Sequence, residues 1–244
     1  LSAWNEVEGF IRSGQEAYQA LKYCSVPVVG ASAGLCLGGG AEVLLHCDSI
    51  QAHSESYIGL VEVGVGIIPA WGGCKEMLAR IREFNLAPGG PMGPIMKAFE
   101  IIGTAQVAKS ADQARSMGFL GPDDSISMNR DHLLADSKIK ALTMSEGYKP
   151  PKPHSFNLPG QTARIALEMA VFDLERSGNA TPHDVVVTSE LAKVLSGGSA
   201  DLTDNTTEEE ILTLERESIG RLGRQEKTIQ RMEHMLQTGK PLRN

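Results

Sequence analysis

Apolar residues between positions 4 and 23 recur at helical spacing. Val7, Phe10, Ile11, Gly14, Ala17, Tyr18 and Leu21 share one face, and Glu6, Glu8, Arg12 and Gln15 fall elsewhere. This predicts a helix over 4–23 that covers a sheet. The pattern then changes to a short continuous apolar run, SVPVVGA at 25–31, with Pro27 near its start where a strand tolerates it. A continuous run fits a buried parallel strand better than a half-exposed one. Gly34 breaks the run, 35–40 read as a turn, and AEVLLHC at 41–47 opens a helix. DSIQA at 48–52 reads as the next strand and Tyr57–Ile58 as a short extended piece. Helix, strand, glycine turn, helix and strand in that order predict an α/β fold with a parallel sheet.

Beyond this the periodicity is helical. After a turn at 64–69, helices are expected at 74–82, 95–102 and 110–117, with a Gly/Pro-rich loop at 83–94 and a connection at 104–109. Ser110 and Gln113 form a capping box, and Gly118 is placed to end that helix. A helix over 131–147 takes apolar faces from Leu133, Leu134, Ile139, Leu142 and Met144. The proline-rich run at 148–160 is the best boundary. Past it no convincing strand is found. Helices are expected at 161–177, 182–195 and 207–238, the last capped by Thr207 with Glu208, Glu209 and Glu210 in its first turn. Val185 to Val187, the β-branched run, lies inside the helical pattern opened by Thr181–Pro182. The expected organisation is an α/β core over 1–125, a helix and linker over 126–160, and an all-helical C-terminal region over 161–244.

Composition narrows the function. The 244 residues carry a net charge of −7, which argues against a nucleic-acid or anionic-membrane surface but leaves room for an anionic small molecule. No apolar run approaches the ~20 residues that span a bilayer. The chain starts at Leu1, with no signal peptide before it, which reads as part of a longer protein. Cys24, Cys36, Cys47 and Cys74 form no C-x-x-C pair or zinc spacing, and the histidines are scattered, so no metal is assigned. Buried thiols suit a reducing, cytoplasmic setting.

The chemistry concentrates in residues 27–73. Gly38-Gly39-Gly40 precedes a helix whose first N–H groups lack partners and point outward, able to receive an anion or the oxyanion of a polarised carbonyl. Glu42 sits in that helix's first turn. Twenty residues on, Glu62 stands among Leu60, Val61, Val63, Val65, Ile67 and Ile68. If buried, such a carboxylate has a raised pKa, suited to proton transfer near neutral pH. Read singly, the plain reading of each segment is the better one: a glycine turn followed by a dipole-complementing Glu, and a loop Glu facing water.

Together, LGGGAE at 37–42, CD at 47–48 and VEVGVGIIPAWGG at 61–73 resemble, in order and spacing, the signature of the crotonase (enoyl-CoA hydratase/isomerase) superfamily. Residues 98–120 and the tail around 210–216 and 231–232 resemble later parts of the family. The segment LVEVGVGIIPAWGGCKEML and the ending TGKPLRN are similar to the hydratase-type module of bacterial multidomain 3-hydroxyacyl-CoA dehydrogenases.

The resemblance implies a crotonase-like fold, an acyl-CoA thioester as substrate, and addition of water across the 2,3 double bond of an enoyl-CoA in fatty-acid β-oxidation. It implies Gly39 N–H as an oxyanion donor, Glu42 as the holder of water, and Glu62 as the main general acid/base. Gly38, Gly40 and Pro69 would line the substrate, and the C-terminal helices would carry a homo-oligomer contact, trimeric or dimeric. Glu100, in a helical apolar pattern, is read as peripheral. The family's other oxyanion donor comes from an upstream A-G-A-D type loop that these residues do not contain, and losing one donor costs about a hundredfold or more; the chain alone is therefore expected to be weak or inactive. No cofactor is expected on this chain, which lacks a G-x-G-x-x-G fingerprint; NAD would belong to an upstream dehydrogenase domain. The competing readings are a non-catalytic acyl-CoA-binding or assembly domain, and another crotonase reaction such as isomerisation or thioester hydrolysis.

Overall fold

The computed structural model describes residues 4–244. In chain order its elements are α1 (Trp4–Lys22), β1 (Val29–Leu37), α2 (Gly39–Leu45), β2 (Ser49–Gly59), a 3-10 turn (Glu62–Val65), α3 (Gly73–Glu83) and α4 (Met92–Gly103). Then come β3 (Val107–Ala108), α5 (Ala111–Ser116), β4 (Ser125–Ser127), a 3-10 turn (Arg130–His132), α6 (Leu133–Ser145) and β5 (Ser155–Phe156). The chain closes with α7 (Gln161–Arg176), α8 (Pro182–Leu195), β6 (Thr206–Thr207), α9 (Glu208–Leu222) and α10 (Glu226–Thr238).

β2 is the centre of the sheet. It pairs parallel with β1 on one side and, on the other, parallel with β4 and antiparallel with β3. The βαβ unit β1–α2–β2 is thus the expected α/β layer. Its first strand runs further than the sequence implied. Gly34 does not end β1: at φ 70 it absorbs an irregularity, where the β2 register jumps from Ala52 opposite Ser32 to Ser56 opposite Gly34. Tyr57 and Ile58 belong to the same long β2, not to a separate piece. β3 lies in the segment read as a connection and β4 in one given no element; at two and three residues both are too short to show a period of two.

The helices follow their patterns closely. Ser110 accepts a hydrogen bond from the Gln113 N–H, as the capping box requires, although the Gln113 side chain receives the Lys109 N–H and not that of Ser110. The segment 207–238 is two helices, because the chain turns at 223–225 and restarts at α10. The proline-rich segment contains β5, which pairs antiparallel with β6 just ahead of α9. In α6, Leu133 is buried while Leu134, Ile139 and Leu142 face outward.

One core joins the α/β layer to the tail. Ile50, Ile58 and Leu60 from β2 and its end pack with Met77, Leu78 and Ile81 of α3 and Ile95, Ile101 and Ile102 of α4. The same cluster takes in Val187, Leu191, Val194 and Leu195 of α8 and Ile211 and Leu222 of α9. α9 also reaches α1 and α3. The tail is therefore seated directly behind the turn that enters α3.

Candidate active site

The site forms where β1 gives way to α2. Gly38 has φ 57, a left-handed value that a side chain resists, and its N–H donates to the Gly59 carbonyl at 2.9 Å. Gly39 is the first helical residue, so its N–H has no carbonyl one turn earlier to bond. Its own carbonyl accepts from the Tyr18 hydroxyl at 3.2 Å. Gly40 is exposed, and its carbonyl accepts from the Cys36 thiol at 3.2 Å.

Glu42 points inward and is 3% exposed. One oxygen, Oε1, accepts the Trp71 and Gly73 N–H groups, each at 2.9 Å. Burial raises its pKa, and those two hydrogen bonds oppose the rise. Glu62 opens the 3-10 turn after β2. The residue as a whole is half-buried, but both carboxylate oxygens are sealed from solvent, and no hydrogen bond of ordinary geometry reaches either. Burial, and then the charge of Glu42, push its pKa up, and the nearby backbone N–H groups of Glu62 and Val61 oppose the rise. A Cβ on Gly38 would stand 3.3 Å from Glu62 Oε1, so this carboxyl lies against the glycine turn. Gly38, Gly39, Glu42 and Glu62 are thus gathered at one place.

Pro69 is buried at the foot of the Trp71–Gly73 turn, where a Cβ on Gly73 would come within 2.7 Å of its own Cβ. Glu100 lies apart, with its side chain 58% exposed and 3.5 Å from Lys97 Nζ.

Several residues at the site carry no local signal. Trp71 stacks edge-on against Phe10 and Tyr18 of α1. His46, at the end of α2, donates from Nδ1 to the Glu42 carbonyl at 2.7 Å, and burial lowers its pKa to about 4, so it is neutral. Glu215 on α9 accepts the Gly72 N–H at 2.8 Å and the Lys75 N–H at 3.1 Å. It is 143 residues from Gly72 in sequence, which is why no motif around 61–73 points to it. Behind it runs a buried charge network. Lys22 reaches Glu76 at 2.7 Å and Glu208 at 3.3 Å, and Lys75 contacts Glu76 and Glu208.

A helix-start N–H beside two buried carboxyls of raised proton affinity defines a class of site: one that can polarise a carbonyl while protons move next to it. Residues 4–88 match the family "Enoyl-CoA hydratase/isomerase". It is 42% identical over 98% of its length to a "Probable 3-hydroxyacyl-CoA dehydrogenase" of Bacillus subtilis (strain 168). It is 30% identical over 94% of its length to a "Putative fatty acid oxidation complex trifunctional enzyme" of Rickettsia felis. The chain spans only 30% and 28% of those two relatives. A crystal structure of a putative enoyl-CoA hydratase from Streptomyces avermitilis shares the fold with TM-score 0.55 at 20% identity, covering 93% of this chain and 61% of that one. The crotonase-like α/β architecture with a helical C-terminal region is therefore the fold of this protein.

Proposed function

We propose that this chain is the hydratase-type module of a multifunctional fatty-acid β-oxidation enzyme, adding water across the 2,3 double bond of an enoyl-CoA thioester. The observation that carries the reading is Glu62: a carboxyl sealed from water, without a hydrogen bond of ordinary geometry, against the glycine turn. A buried polar group left unpaired costs stability, which a substrate group arriving at the site would relieve.

The geometry supports the following division of labour. The Gly39 N–H polarises the thioester carbonyl and takes up charge as an enolate forms. Glu42 accepts a proton from the attacking water, whose oxygen bonds to C3. Glu62, kept protonated near neutral pH by burial and by the neighbouring charge, gives its proton to C2. The sum is one water added, one proton leaving Glu62 and one gained by Glu42; proton exchange between the pair resets the site. Gly38 and Gly40 leave room for substrate beside the turn, and Pro69 shapes the turn from below. Cofactor chemistry with NAD belongs, on this reading, to a dehydrogenase part outside these residues. Among the described residues no helix is long and apolar enough to cross a membrane, and a cytoplasmic setting and self-association through the C-terminal helices are part of the proposal.

Hydration of crotonyl-CoA by the full-length parent tests it. Glu62→Gln is expected to lower kcat by about 10²–10⁴-fold. A Gln variant with full activity would remove Glu62 from the mechanism. Acyl-CoA binding without turnover by the wild-type parent would favour a non-catalytic binding domain.

A further inference from the structure

Two buried carboxylates meet the N-terminus of α3, and they come from distant parts of the chain. Glu42 takes the N–H groups of Trp71 and Gly73, and Glu215 takes those of Gly72 and Lys75. The four donors are divided between one carboxylate of the proposed site and one from the tail. Glu215 is fully buried.

A second tie runs alongside. Gln15 of α1 donates from Nε2 to the Ala70 carbonyl at 2.7 Å and to the Leu212 carbonyl at 3.0 Å, and its Oε1 accepts from Arg216. The turn is bracketed by α1 and α9 and has no slack. A Cβ on Gly72 would meet His46 Nε2 at 2.7 Å, and one on Gly73 would meet Glu42 Oε1 at 2.9 Å. Any shift of α9 reaches the N–H groups that orient Glu42.

A helix cap alone would account for the two hydrogen bonds, since Gly72 offers no side-chain cap. A plain cap does not need to share its turn with a site carboxylate, however; here the N–H groups alternate between Glu42 and Glu215 along one stretch of backbone. The charged groups facing Glu215 are Glu42 from α2 and Lys75 from α3, and the Cys74 thiol of α3 is also close enough to feel it. Lys75 is itself engaged by Glu76 and Glu208, and Arg216 is turned to Gln15 and Glu209.

We propose that Glu215 is a positioning residue of the hydration site: by taking one N–H on each of its oxygens it holds the Gly72–Lys75 backbone in place, and with it the Trp71 and Gly73 N–H groups that fix Glu42. This rests on the hydratase reading above. The helical tail is then a working part of the site.

The test compares kcat and KM for crotonyl-CoA in the full-length parent carrying wild-type Glu215, Glu215→Gln or Glu215→Asp. Glu215→Gln sets an amide NH2 against one of the two backbone N–H groups and is expected to lower kcat by about tenfold to a hundredfold with KM little changed, because Glu42 is displaced while substrate contacts stay. Glu215→Asp keeps two acceptor oxygens and should recover part of that loss. A folded Gln variant with wild-type kcat overturns the inference. If the wild type shows no hydration, the hydratase reading fails separately. In that case, or if the Gln variant does not fold, carboxyl ¹³C NMR of Glu42 in the wild type and the Asp variant decides: a displaced turn must move the Glu42 resonance, and an unmoved resonance overturns the proposal.

Discussion

Gly72 and Gly73 are adjacent glycines for different reasons. Gly72 has φ 99, in the left-handed region, with His46 Nε2 in the way of any Cβ. Gly73 has ordinary helical backbone but is squeezed between Pro69 and Glu42. Gly72→Ala should therefore cost about 1–3 kcal/mol from backbone conformation alone, seen as a lower urea midpoint with unchanged slope. The buried carboxyls give a second expectation at this scale. Glu215 has a folded pKa raised by burial, first of all, to about 8. Its contribution to stability is complete below the ordinary carboxylate range and is lost as pH rises through the folded value. Relative to wild type, Glu215→Gln should be at its least favourable near pH 5 and improve toward pH 9, read as the difference in Tm across that window. A difference constant with pH would show that Glu215 does not carry a raised pKa. His46 has the opposite sign: lowered to about 4 by burial, it withdraws stability as pH falls below its ordinary value toward that point.

α9 is the element that links tail and site, and its start is well defined. Thr207 Oγ1 accepts the Glu210 N–H at 3.3 Å, and Glu210 accepts the Thr207 N–H at 2.7 Å. Thr207→Ala should lower stability by about 1 kcal/mol, measurable by chemical denaturation. One residue further in, Glu208 is buried between Lys22 and Lys75, and it also accepts from the Tyr23 hydroxyl at 2.7 Å and the His154 N–H at 3.0 Å. Glu208→Ala leaves buried cations short of a partner and should cost about 3–5 kcal/mol, whereas a surface pair such as Arg12–Glu8 should give almost nothing. Capping boxes of this kind are legible in sequence because all their parts lie within four residues. β3 and β4 are not legible, since what makes them strands is the edge of β2 beside them.

For the whole molecule, two surfaces bear on assembly. β1 pairs with β2 on one edge, and among the described residues nothing pairs with its other edge. On α7, Ile165, Met169 and Phe172 stand outward at 50%, 64% and 49% exposure, spaced as one helical stripe. If the proposed self-association uses the C-terminal helices, Met169→Glu should reduce the sedimentation coefficient of the parent enzyme at micromolar concentration. A wild type that sediments as a monomer would remove the oligomer from the proposal.

Local order was decided by the sequence itself. Periods of 3.6 and short apolar runs placed the helices and the βαβ unit, because each signal depends on neighbours within a few residues, whereas Gly39, Glu42 and Glu62 became candidates only through the resemblance of the stretch 37–73 to a known family. Tertiary structure decided the rest. It set which carboxyl is satisfied by backbone N–H groups, which is sealed without a partner, and that Glu215 shares the entrance of α3 with Glu42. Burial and contact between residues far apart in the chain are properties of packing, so no local pattern can encode them.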